Sequence, residues 1–346
     1  MTLVPWQQRF EAQVLATQLA FDVNLPQGES SRRFLNSIRN IEQINLKGNY
    51  LEALPLSGSF SGPGIGQQTE LEIELPYEYS QLQLRPVENA NAPVASELEL
   101  KTLQLQDKAK IPALRYIPFN RRLELEFSHM DMPDLTAGSV LNIELGTAPL
   151  QLTLEGYRLP QLKLDDPDGN QPLSIVFTPD ITDIDLALPQ QGSISLELPS
   201  LKDKDTFRWF WGGLPVSNVE FIILEESGVD FLERSSILQG KVRQGERTLD
   251  IEADQFLLAK NPGIQKLRYL QLAEKKGIEV RGVGQTTNIQ VGLDPDFPIQ
   301  GLRSNFLTRF LPADTAIAII SFAGAMIASL LVWLVDNLFK SPDAGD

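Results

Sequence analysis

The sequence contains no cysteine and a single histidine, His129. Without thiols there is no disulfide framework, no thiolate metal site and no cysteine nucleophile. With one imidazole, a serine-histidine-aspartate triad must use His129, and no GxSxG elbow accompanies it. His129 lies in FSHMDMPD beside Asp131 and Asp134. Those three side chains form a metal site only if the fold makes them converge, and the plainer reading is a histidine at a strand end. Basic charge is also scarce: 30 Lys and Arg stand against 45 Asp and Glu, for a net charge of −15. Binding nucleic acid requires a concentrated basic surface, so that class is excluded. The pairs Arg32-Arg33, Arg121-Arg122 and Lys275-Lys276 are isolated among acids and read as solvated charge. Broad docking on anionic lipid is disfavoured too, although a local contact near an anchor is not.

Phosphate loops are missing as well. Gly62-Pro63-Gly64-Ile65-Gly66 and Gly282-Val283-Gly284 lack the lysine or helix start that holds a phosphate. Asp165-Asp166-Pro167-Asp168-Gly169-Asn170 resembles a calcium loop at first sight. Its glycine falls at the fourth place instead of the sixth, and Phe177 stands where a glutamate is needed. Asp-Gly between two strands reads as a hairpin turn. Asp180, Asp183 and Asp185 offer paired carboxylates of the kind that hydrolyse glycans. In so acidic a chain, chance supplies such pairs. No cofactor or metal is expected.

What the sequence does contain is alternation. ELEIEL (70–75), QLQL (81–84), ELELKTLQLQ (97–106), RLELEF (122–127), VLNIEL (140–145), LQLTL (150–154) and QLKL (161–164) place leucines at every second position. So do 184–188 and 193–198. A period of two puts apolar groups on one face of a strand. With 23 prolines and 24 glycines supplying turns, the expected fold is mainly β, with antiparallel sandwich-like or barrel-like modules. Phe10, Ala12, Val14 and Ala16 alternate, as do Leu15, Thr17, Leu19, Phe21 and Val23, predicting a strand. ESSRRFLNSIR (29–39) predicts a helix with Phe34, Leu35 and Ile38 on one side. SGSFSGPGIGQQ (57–68) reads as a loop. Residues 219–224 predict one apolar strand. Strands at 235–242 and 247–258 flank a turn at Gln244-Gly245, and 277–284 and 286–293 supply two more. The domains expected are a β-rich unit over 1–200 and a second β module over 201–300, separated near LKDKD at 201–205.

One long hydrophobic run stands apart. Residues 316–335, AIAIISFAGAMIASLLVWLV, are twenty residues with no charge and no proline, enough helix for about 30 Å, the thickness of a bilayer's hydrocarbon core. We expect a C-terminal transmembrane helix over 315–336, a juxtamembrane segment over 301–314 and a short tail over 337–346. Ala318, Ser321, Gly324, Ala325, Ala328 and Ser329 share one face, suited to close helix packing in lipid. Arg303, Phe306, Arg309 and Phe310 suit the headgroup level. No signal peptide is visible, and Arg303 and Arg309 precede the run while Lys340 follows it. The expected placement is therefore a single-pass membrane protein with a cytoplasmic body and the C-terminus opposite.

Phe207, Arg208, Trp209, Phe210 and Trp211 form the most unusual remaining segment, a candidate partner surface if exposed and a core strand if not. The expected function is a non-enzymatic, membrane-tethered protein-binding or assembly module, its helix self-associating or docking in a membrane complex. The alternatives are a sensor-controlled effector that perturbs the membrane and a membrane-bound glycan hydrolase using carboxylates.

Overall fold

The structure is a computed structural model and describes residues 7–87, 98–129, 138–188, 191–199, 208–227, 230–259, 262–273, 276–303 and 313–339. It is mainly β, built from large antiparallel sheets. The alternating segments become strands for the expected reason. Leu71, Ile73 and Leu75, Leu82 and Leu84, and Leu150, Leu152 and Leu154 are all buried, while the residues between them face outward.

One sheet of eighteen strands runs through the molecule. From one edge the pairing passes from Arg247–Ile251 through Ile237–Gln244, Gln8–Ala16, Gly277–Thr286 and Gly263–Ala273 to Arg208–Glu220. It continues through Gln18–Val23, Ala109–Ile117, Arg122–His129, Gln191–Glu197, Gln43–Gly48, Gln81–Pro86 and Leu150–Glu155. Leu173–Pro179, Tyr50–Ser61, Gln68–Leu75, Arg158–Leu159 and Leu164–Asp165 complete it. A second, four-stranded sheet (Asp183–Ala187, Val140–Glu144, Glu99–Gln106, Ser31–Ile38) covers part of this surface. The layers meet where Phe34 of the small sheet packs on Phe21 of the large one, ring centroids 5.4 Å apart. Buried side chains from Phe10 to Val291 form one continuous apolar cluster.

Two stretches join the halves of the large sheet. Residues 8–23 change partners at Thr17, where a bulge at Leu15/Ala16 shifts the buried positions from even to odd. Arg208–Glu220 pairs with Gly263–Ala273 along its first part and with Gln18–Val23 along its last. The first described strand therefore lies between two strands beyond residue 200.

Several expectations are corrected. Residues 29–39 hold a strand, Ser31–Ile38, not a helix. Phe34 and Leu35 are both buried because a bulge lies between Arg33 and Leu35, and Ser37 and Asn40 have left-handed φ of 48° and 56°. The bulge mimics helical spacing. The first half of 57–68 is strand: Phe60 is buried and stacks on Phe177 at 4.7 Å. Gly58 permits that, since a Cβ there would lie 2.3 Å from the Thr178 carbonyl oxygen. QLKL at 161–164 is a short 3₁₀ turn at Pro160–Leu162 followed by Lys163 at φ 54°. The strands flanking Asp168-Gly169 do not pair with each other, so no hairpin forms there. The run 219–224 is broken at Phe221, and 247–258 splits into Arg247–Ile251 and Phe256–Leu258. Residues 201–205 lie outside the described residues.

The helix Ala313–Phe339 ends the described chain. Among the described residues no helix is long and apolar enough to cross a membrane.

Candidate functional site

The outer face of the sheet's first half concentrates positive charge. Phe10, Ala12 and Val14 point into the core, so Arg9, Glu11 and Gln13 point out. The same alternation exposes Lys241 and Arg243 on Ile237–Gln244 and Arg281 on Gly277–Thr286. On Gly263–Ala273, bulges at Ile264/Lys266 and Leu267/Tyr269 turn both Gln265 and Lys266 outward, with Arg268 two residues on. Register brings these groups together: Glu11 lies opposite Arg243 on one side and Val283 on the other, and Lys266 also lies opposite Val283.

The result is a hollow of about 630 Å³, lined in part by Arg9, Glu11, Arg243, Lys266 and Arg268. That is within the size range of small-molecule sites. Two glycines shape it. A Cβ on Gly284 would lie 2.0 Å from the Gly263 carbonyl oxygen, and a Cβ on Gly213 would lie 1.9 Å from Lys266 Cε. The Lys266 stem therefore crosses a backbone that has no side chain. Glu11, the acid in the lining, is hydrogen-bonded to Arg281. That bond holds the Glu11 carboxyl below its ordinary 4.5 against partial burial, and the charges of Arg281, Arg268 and Arg243 act with it. Lys241 pairs with Asp250 at 3.4 Å. Among the described residues, Arg9, Arg243, Lys266 and Arg268 have no ion pair. Such an arrangement can hold an anion with two or more charges, because guanidinium forks match the oxygens of phosphate or carboxylate.

A second hollow, of about 750 Å³, includes Lys47, Glu78 and Glu126. Its charges are of both signs, and Glu126 is already bonded to Arg115.

The sequence-predicted residues fall as follows. On the helix, Ala318, Ser321, Gly324, Ala325, Ala328 and Ser329 are described. A Cβ added at Gly324 would meet open space, and Ser329 donates its hydroxyl to the Ala325 carbonyl at 2.9 Å. That bond satisfies the hydroxyl within the helix. The larger side chains Phe322, Met326, Leu330, Val332 and Trp333 are exposed. Arg208, Trp209, Phe210 and Trp211 lie on Arg208–Glu220, with Arg208 opposite Gln271 and Trp211 opposite Tyr269; Phe207 lies outside the described residues. Arg303 ends the strand Gln300–Arg303; Phe306, Arg309, Phe310, Asp131 and Asp134 lie outside the described residues. His129 ends Arg122–His129, opposite Ala109.

Asp166 is the organiser of its loop. It is buried, and its carboxylate accepts backbone N–H bonds from Gly156, Asn170 and Gln171 at 3.2, 3.0 and 3.2 Å. Asp183 is exposed, and its carboxylate lies 3.4 Å from the Lys101 ammonium. Hydrogen bonds from Thr182 and Lys101 hold its carboxyl below the usual range, the reverse of what a general acid needs.

Sequence reasoning missed the hollow. Its cations come from residues 9, 243, 266 and 268 and meet only through strand pairing. The available signal was the outward charge at alternate positions: Arg9/Glu11, Lys241/Arg243 and Lys266/Arg268. Comparison of the chain with protein-family models, curated proteins and solved structures gave no match.

Proposed function

We propose that the chain is a membrane-tethered, non-enzymatic β module that binds protein, with its C-terminal helix lying in the bilayer and associating with itself or with another membrane helix. The observation that carries this reading is the exposure of the helix's large apolar side chains: Phe322 is 69% exposed, Val332 65% and Trp333 61%. A contiguous apolar surface in water is unfavourable by about 25 cal/mol per Å² and calls for lipid or another helix to cover it. The sequence extends the apolar run to the twenty uncharged residues 316–335, and the helical backbone runs from Ala313 to Phe339. Small residues at 318, 321, 324, 325, 328 and 329 leave one face open to close approach. On this reading Arg303, Phe306, Arg309 and Phe310 meet the headgroups, the body is cytoplasmic and the Phe207–Trp211 segment is a contact surface.

Alkaline carbonate extraction of membranes holding the full chain tests the span. The chain is expected in the membrane pellet, and its release into the supernatant sinks the reading. Gly324→Leu and Ala325→Leu are then expected to reduce crosslinked dimer several-fold while the chain stays in the pellet, since both close the small face without lowering apolarity. Crosslinking unchanged in both variants removes helix association from the proposal.

A further inference from the structure

We infer that the basic hollow on the outer face of strands Gln8–Ala16, Ile237–Gln244, Gly263–Ala273 and Gly277–Thr286 binds a phosphate-bearing anion. Three observations converge on it. First, the charge is concentrated and only partly offset: Glu11 is the one acid in the lining, and its charge is shared among Arg281, Arg268 and Arg243. Arg9, Arg243, Lys266 and Arg268 line one hollow in a chain of net charge −15, and Glu11 is already engaged by Arg281. In the turn beside Gly245, Glu246 and Arg247 contribute one charge of each sign. Like charges gathered on one face repel, and an anion between them relieves that repulsion. Second, the donors come from strands of one continuous sheet, so their spacing is fixed before a ligand arrives, which lowers the ordering cost of binding. Third, three of the four cations are arginines, whose forks bind phosphate through paired N–H donors.

The register also says where the hollow lies. Arg9 pairs with Gln285, one residue before the strand ends at Thr286. Thr286 Oγ1 donates to the Asn288 carbonyl at 2.8 Å and accepts the Asn288 N–H at 3.2 Å, turning the chain into the next strand. Asn288 pairs with Arg303, the last described residue before the helix. The hollow and the chain's exit toward the helix are thus at the same end of the sheet, separated by three residues, about 10 Å of chain. The nine residues 304–312 reach at most about 30 Å. If the helix is in a bilayer, a lipid headgroup phosphate is within reach of the hollow. This lipid source rests on the membrane reading above; a soluble phosphate ester does not.

The test is hydrogen exchange on the full chain in nanodiscs, following backbone amides at residues 9–11, 243–245 and 265–268. One arm compares phosphatidylcholine with a phosphatidylcholine and phosphatidylserine mixture. The other adds inositol hexakisphosphate to phosphatidylcholine nanodiscs, with sodium chloride at equal ionic strength as the control. Protection with phosphatidylserine but not with the soluble ester supports a lipid source. Protection with the ester alone supports a soluble ligand. Each basic group near an anionic surface contributes about fivefold in binding, so Arg268→Gln is expected to weaken the protecting interaction about fivefold and Lys266→Gln/Arg268→Gln about 25-fold. No protection in either arm, equal protection by sodium chloride, or full protection in the double variant overturns the inference. Carbonate extraction of the same samples separates the two failures: a chain that is extracted yet protected by the ester keeps the anion site and loses the membrane.

Discussion

Two outer faces of the same sheet treat arginine differently. Across Ala109–Ile117 and Arg122–His129, Arg115 faces Glu124 at 3.3 Å and also Glu126, while Arg122 reaches Glu124 at 2.8 Å. Nearby, Arg121 bonds Glu42 at 3.1 Å. On the other face Arg281 is paired with Glu11 and Lys241 with Asp250, whereas Arg9, Arg243, Lys266 and Arg268 have no ion pair among the described residues. Alternation and twist are common to both regions, so backbone architecture does not explain the contrast. Exposed ion pairs contribute little to stability, about 0–1 kcal/mol, so the pairing is no necessity of folding either. It separates the arginines already paired from Arg9, Arg243 and Arg268, which have no ion pair among the described residues.

The comparison assumes that both regions share one core. Phe34→Ala tests this with the largest effect, an expected loss of about 3–5 kcal/mol by chemical denaturation. Exchange should rise in Gly263–Ala273 as well as in Glu99–Gln106; a rise confined to the latter would divide the molecule into separately stable parts. Asp166→Ala should cost about 3 kcal/mol, because three backbone N–H groups lose their acceptor. Its exchange increase should stay near 156–171 and leave the basic face unchanged. Gly284→Ala should cost about 1–3 kcal/mol, by forcing its strand away from the Gly263 carbonyl, and should disturb the basic hollow most. The smallest effect concerns pH. The Glu11 carboxyl is held low when folded, so it contributes stability above the ordinary value of 4.5, and that contribution is lost as pH falls through its depressed folded value. Glu11→Gln should flatten this part of the stability profile. Equal acid sensitivity in the variant would show that the Arg281 contact is without energetic effect.

Much of the fold was legible in the sequence because burial on one face imposes a period of two. Leu82 and Leu84 are plain cases. Residues 10–23 read as one strand, whereas the chain changes partners at Thr17 and the buried positions pass from Phe10, Ala12 and Val14 to Leu19, Phe21 and Val23. Bulges defeated the reading elsewhere. A bulge placed Phe34, Leu35 and Ile38 at helical spacing inside a strand. The helix at the end of the chain was legible as an apolar run, whereas the hollow was not, since its charges are brought together by pairings over more than 200 residues. Glu11 and Arg281, for example, are 270 positions apart.

That separation has a consequence for how the protein is made. Gln8–Ala16 needs Ile237–Gln244 on one flank and Gly277–Thr286 on the other. At a synthesis rate of about 5–20 residues per second, it waits roughly 15–50 s for the second partner. The first described strand is therefore among the last to be paired. During that interval an apolar edge, Phe10-Ala12-Val14, stands open to strand addition by other chains. The vulnerable period of this molecule is set by the order in which its sheet closes, and it ends only shortly before the apolar helix itself emerges.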